Sequence, residues 1–198
     1  MNKVIRRNWH WFLLGTLLTT GLVCGGIAIK CNPTAKEKIL YYVCASSVNY
    51  SKIVSESKKV SSGDIREVRI NQESLSASEN SRLFGTVYDS TDIYIYPEVQ
   101  LERTKPLSAH FDLETISSLI PNVEGKELYL DGEKYCAIKV YDATTEEGVL
   151  KDYINYHISE ENKQNYYLSF YKSSLHINGL NHSYSNNALK IVNRLLEL

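Results

Sequence analysis

The chain has 198 residues, 43% of them apolar, and 22 Lys and Arg stand against 23 Asp and Glu. The mild acidity of the part after residue 31 argues against a nucleic-acid-binding surface, which normally shows a basic patch. All 23 acidic residues and 18 of the basic ones lie after residue 31, so this part carries a net charge of −5.

The first element is Trp11 to Ile29, nineteen residues without an ionisable acid or base. As a helix it spans roughly 28 Å at 1.5 Å per residue, close to the ~30 Å hydrocarbon layer of a bilayer. Lys3, Arg6 and Arg7 precede it, and Trp9 and Trp11 stand at its edge. Arg6, Arg7, Trp9 and Trp11 are therefore the expected membrane-interface residues, with amphipathic rings at headgroup level and basic side chains on the cytoplasmic side.

A cleaved signal peptide usually has a shorter apolar core and a small-residue exit site. Here the run ends in Ala28-Ile29-Lys30. A lipoprotein would place a small residue before Cys24, where Val23 stands. A buried core helix fits the basic and aromatic flank least well. The expected organisation is a cytoplasmic tail (1–10), a transmembrane signal anchor (11–29) and one extracytoplasmic domain (31–198).

Beyond the anchor, Thr34-Ala-Lys-Glu37 reads as a capping box opening a short helix through KILYY. Ser55 to Gly63 reads as a turn and Asp64 to Ile70 as a strand with one wet face. Gln72 to Ser81 is a polar connection. Arg82–Asp89 and Asp92–Thr104 flank Ser90-Thr91 as the arms of a hairpin, with Pro97 placing the second arm at an edge or bulge. Asp112 caps a short helix, LETISSLI, ended by Pro121. Asp131-Gly132 joins KELYL to KYCAIKVY in a second hairpin, because glycine accepts positive φ.

Thr144 or Thr145 starts a helical stretch through EEGVLKDYINYHI. NYYLSFYKSSLHI is strand-like, and Asn178-Gly179 breaks it. From Ser185 to Leu198, Ala188, Ile191, Val192, Leu195 and Leu196 recur at helical spacing, the mark of a helix packed on a sheet. The fold class is α+β: a transmembrane helix, then a domain with a mainly antiparallel sheet and a C-terminal helix. All 15 Tyr residues follow residue 40. They suit strands and half-buried faces, and an aromatic platform for carbohydrate would use the same residues.

Cys44 and Cys136 both sit in strand-like contexts and are the expected disulfide. Cys31 is then left over for pairing with a second chain. No CxxC spacing occurs and the five His are dispersed, so no metal or other cofactor is expected. No nucleophile elbow, P-loop, zinc-protease helix or calcium loop is present. His110-Phe-Asp112 is the one place where a carboxylate could orient a histidine. Glu146-Glu147 and Glu160-Glu161 read as solvated loop charges. Asn49-Tyr-Ser51 and Asn181-His-Ser183 match glycosylation acceptors.

With Cys44-Ala-Ser-Ser-Val-Asn-Tyr50, Phe84-Gly-Thr-Val87 and the strand ending Leu101-Glu-Arg-Thr104, residues 10–110 resemble the FidL-like and ToxS-like bacterial membrane proteins. Those are single-pass proteins with a cysteine early in an extracytoplasmic β-rich domain, often linked with membrane-spanning winged-helix regulators. Cys136 in mid-domain, the lack of a cysteine near the C-terminus and the terminal helix depart from that pattern. The resemblance implies an accessory or sensor role in a bacterial inner membrane, with the domain in the periplasm and no catalytic residues to carry over.

The functional expectation is a non-enzymatic protein acting through a membrane protein partner or its own second copy, with the lipid bilayer as its other contact and no nucleic acid. The alternative is an anchored envelope hydrolase or glycan-processing enzyme, which needs two carboxylates facing each other across a cleft.

Overall fold

The computed structural model describes residues 3–61, 63–73, 91–156, 163–177 and 185–198. The chain divides into two compact units, residues 1–34 and residues 35–198.

The first unit is helix α1, Lys3–Cys31. Its window Trp9–Ile27 has a mean hydropathy of 1.4 and buries none of its residues. Among the described residues it is the one helix long and apolar enough to cross a membrane. The same length and composition also suit a signal sequence. Thr16 donates its hydroxyl to the Phe12 carbonyl at 2.8 Å, and Thr19 donates to that of Gly15 at 2.8 Å. Satisfied inside the helix, these hydroxyls can enter hydrocarbon without an unpaired donor. Trp9 and Trp11 are exposed at its start, and the side chains of Arg6 and Arg7 lie outside the described residues.

The second unit is built on one mixed sheet. Strands β1 (Lys38–Cys44), β3 (Glu67–Glu73), β4 (Ile93–Pro97), β5 (Leu128–Asp131), β6 (Lys134–Asp142) and β9 (Tyr166–Phe170) lie in the order β3-β1-β4-β9-β6-β5. A short β7 (Glu147–Gly148) also joins β6. β1 runs parallel to both β3 and β4, and the other pairings of this sheet are antiparallel. A separate two-stranded ribbon pairs β2 (Ser47–Val48) with β8 (Ile154–Asn155).

Four elements differ from the sequence reading. KILYY is strand, not helix: after a single 3-10 turn at Ala35–Glu37, β1 buries residues on both faces. Ile39, Tyr41 and Val43 join the main core, while Tyr42 and Cys44 join a smaller cluster on the other face. Continuous β-branched and aromatic residues suit such a doubly covered strand. Ser55–Gly63 is mostly helix: α2 spans Tyr50–Val60 and supplies the crossover between parallel β1 and β3. Asn49 caps it, its side chain accepting from the Lys52 amide at 3.3 Å, so this glycosylation-like asparagine works as a helix cap.

The third is EEGVLKDYINYHI, which forms turns and short strands as far as Tyr156. Positive φ at Glu146 (57°) and Leu150 (66°) breaks any helix there. Gly148 is fixed by close approach, since a Cβ would lie 2.4 Å from the Val140 carbonyl oxygen.

Other expectations hold. Asp112 caps α3 (Leu113–Leu119), accepting from the Thr115 amide at 2.7 Å, and Pro121 follows the helix end. Gly132, at φ +65°, turns β5 into β6. The fourth difference is the expected second hairpin arm, Asp92–Thr104: Pro97 ends β4, which is a central strand and neither an edge nor bulged, and the chain continues in helical turns instead of more strand. The first arm of the expected hairpin (82–89), the Asn178-Gly179 break, Glu160-Glu161 and Asn181 lie outside the described residues.

The C-terminal helix α4 (Asn187–Leu195) packs against α2 and buries Ala188, Leu189, Ile191, Val192 and Leu195, with Leu196 just beyond. Each fully buried Leu, Ile or Val contributes about 1.5–3 kcal/mol of gross transfer energy, so this stripe anchors the helix to the core. Arg194 adds an ion pair with Glu56 of α2 at 3.2 Å.

The expected Cys44–Cys136 disulfide is not made, and both thiols are free and buried. β4 and β9 lie between β1 and β6. Three strand spacings separate the cysteines by about 14 Å, against the roughly 7 Å limit between Cα atoms for a bridge. Burial pushes the Cys44 thiol up to about 12 and the Cys136 thiol up to about 11, which keeps both protonated and unreactive. The side chain of Cys31 lies outside the described residues.

Candidate functional site

A cavity of about 320 Å³ opens where β1 and β4 begin and β9 ends. That volume is at the lower end of small-molecule sites. Lys38, Leu40, Thr91, Asp92, Tyr171 and Ser174 are among the residues lining it.

Asp92 is the central group, and its own backbone explains its position. Its amide donates to the Leu40 carbonyl at 2.8 Å, while its Oδ2 accepts from the Leu40 amide at 2.9 Å. Its carbonyl accepts from the Tyr171 amide at 3.1 Å, and its Oδ1 accepts from the Ser174 hydroxyl at 2.5 Å. One residue thus ties the first strand to the segment after β9. Asp92 is only 6% exposed. Burial raises its pKa above the ordinary carboxylate value, and the Ser174 and Leu40 donors and nearby His176 offset this only in part.

His176, 1% exposed, lies next to this lining in the chain, its main-chain amide bonded to Ser174. Its Nε2 is 3.2 Å from the Ala35 carbonyl, which can only accept, so a neutral ring carries its hydrogen there. Nδ1 then accepts from the Ser185 hydroxyl at 2.9 Å. Ser174 bonds Asp92 directly and receives the His176 main-chain amide at 3.1 Å. The imidazole therefore does not stand between serine and carboxylate as a hydrolytic triad requires. The arrangement suits recognition: an acceptor group at the side of a partly apolar chamber. Lys38 at its edge is already matched by Glu67 at 3.3 Å.

The histidine singled out in the sequence has a different partner. His110 Nε2 meets Asp131 at 2.9 Å, and its Nδ1 meets the Ser108 carbonyl at 2.9 Å. Asp112 is occupied as the cap of α3. Lys105 also pairs with Asp131 at 3.0 Å, and His110 and Lys105 together hold the Asp131 carboxyl below its usual range. This is a half-exposed polar cluster bracing the β5–β6 hairpin. Glu146 pairs with Lys163. Among the described residues no group of three or more His, Cys, Asp or Glu is arranged to hold a metal.

Sequence reasoning missed Asp92 because it stood as the first residue of the expected second hairpin arm, beside the Ser90-Thr91 connection. An aspartate directly before the wholly buried IYIYP was the available signal.

Asp92→Asn separates the charge from the hydrogen bonds, since an amide can accept from Leu40 and donate to Ser174. A raised folded-state pKa means the native protein binds more protons than the unfolded chain. This group's stability is therefore full below an unfolded carboxyl pKa of about 4 and is lost as pH rises through the raised value. Unfolding curves from pH 4 to 8 should show wild type losing stability relative to Asp92→Asn, with a slope of at most about 1.4 kcal/mol per pH unit. Parallel curves would contradict the assignment.

No protein family, no curated protein and no solved structure matches this chain.

Proposed function

We propose that the protein is a single-pass, membrane-anchored accessory or sensor protein. Its domain works on the extracytoplasmic side of a bacterial inner membrane by binding a membrane partner. The observation that carries this reading is the exposed apolar helix Trp9–Ile27 joined to a separately folded unit of 164 residues. A tether raises the effective concentration of the domain at the membrane without adding contacts, which favours a protein that acts by being held beside another.

The site adds support. Its charged lining comprises one carboxylate and one lysine, whereas glycoside hydrolysis uses two opposed carboxylates. Co-regulation of a membrane-bound transcriptional regulator is the role suggested by the FidL-like and ToxS-like resemblance. Affinity purification of the full chain from detergent-solubilised membranes tests the reading. A stoichiometric membrane partner is expected, and recovery of the protein alone as a monomer would contradict it.

A further inference from the structure

We infer that the Asp92 cavity is a binding site for a small ligand with a cationic amine head on an apolar body. The inference deepens the sensor reading and rests on it for biological use, while binding itself is measured on the purified protein.

Three observations converge. First, the chamber is large enough for a small molecule and has apolar walls from Leu40, Leu175 and the Tyr171 ring beside a few polar groups. Such a chamber favours an apolar body with a single polar handle. Second, each oxygen of Asp92 accepts one hydrogen bond, from Leu40 and from Ser174, while a carboxylate offers about four lone-pair sites. Capacity therefore remains for a ligand donor, and a charge-assisted bond to it is short and strong.

Third, the other charged group of the lining does not compensate this carboxylate. Lys38 is directed to Glu67, and the hydrogen on His176 Nε2 goes to the Ala35 carbonyl. Among the described residues no Lys or Arg pairs with this buried carboxylate and the His176 ring bonds Ser185 and Ala35 instead, so an incoming ammonium supplies a direct charge contact that the fold does not. An alcohol of the same size would supply the donor without the charge. A carboxylate ligand would be repelled.

The test uses the full chain in detergent micelles and fluorine NMR of three probes: 4-fluorobenzylamine, 4-fluorobenzyl alcohol and 4-fluorobenzoate. The amine signal should broaden saturably, with at least about tenfold tighter binding than the alcohol, and the benzoate should not bind beyond empty micelles. Asp92→Asn should weaken amine binding by about tenfold or more and bring it level with the alcohol. Ala35→Leu, at an exposed wall position, should weaken both neutral and cationic probes by filling the chamber while leaving Asp92 in place, so the proposal does not depend on one variant folding. Equal binding of amine and alcohol, amine binding unchanged in Asp92→Asn or Ala35→Leu, or no amine binding at millimolar concentration would each overturn it. Recovery of a membrane partner without amine binding would sink this inference and leave the accessory role standing.

Discussion

Removing residues 1–31 is expected to shift essentially all of the protein from the alkali-resistant membrane pellet to the soluble fraction, with the domain still folded. The window Trp9–Ile27 holds eight Leu, Phe, Val and Ile residues. At the insertion cost of such residues they contribute about −2 to −5 kcal/mol towards insertion, before the smaller opposing contributions of Gly and Thr. Among the described residues of the folded unit most apolar side chains are spent on its own cores, and the exposed ones, such as Val99, Leu113 and Leu130, are scattered singly. The cut leaves Ala35 in place, whose carbonyl holds the His176 ring, so the wall of the Asp92 cavity survives. A truncated chain still resisting alkaline extraction would show that the helix is not what holds the protein at the membrane.

The second large effect is expected in the aromatic core. Tyr166 of β9 is fully buried, and its hydroxyl donates to the Tyr156 carbonyl. Its ring lies 4.8 Å from that of Tyr156 and 6.2 Å from that of Tyr141, while Tyr141 and Tyr156 stack at 4.7 Å. The Tyr156 hydroxyl donates in turn to the Val149 carbonyl at 2.6 Å, which pins the irregular 147–156 segment onto the sheet.

Tyr166→Ala removes a ring from a close-packed site and should cost about 3–5 kcal/mol, a large part of the 5–15 kcal/mol typical of a domain. Tyr166→Phe keeps the ring but leaves the Tyr156 carbonyl without its donor, at about 1–3 kcal/mol. Exposed Leu113 is the control, where truncation to Ala should stay within about 0.5 kcal/mol. Urea midpoints at constant slope measure all three, and a Tyr166→Ala midpoint close to wild type would contradict the packing described.

Much of this architecture was legible in the residues. The apolar run, the Asp112 cap, the glycine turn at 131–132 and the amphipathic last helix each rest on local physics: hydropathy over a membrane thickness, a side chain reaching a free amide, a positive φ, a 3.6-residue period. The parallel half of the sheet was not legible. Its crossover helix, YSKIVSESKKV, buries Ile53 on a narrow face and is otherwise serine- and lysine-rich, so its pattern resembled a polar turn. Its doubly buried strand KILYYVC has no polar alternation to distinguish it from helix.

The cysteine expectation failed for a related reason. Strand-like context says nothing about strand order, and the intervening β4 and β9 keep Cys44 from Cys136. The site itself was least legible. Asp92 joins Leu40 and Ser174, 52 and 82 positions away in the chain, and no local spacing encodes such a meeting.

The central claim, that the tether holds the domain beside a membrane partner, is most directly tested by purifying the full chain and the chain lacking residues 1–31 side by side from whole-cell lysates solubilised in the same detergent. The full chain should bring down one membrane protein in near-stoichiometric amount, and the truncated chain should recover little of it. Purification of the full chain alone as a stable monomer would contradict the account.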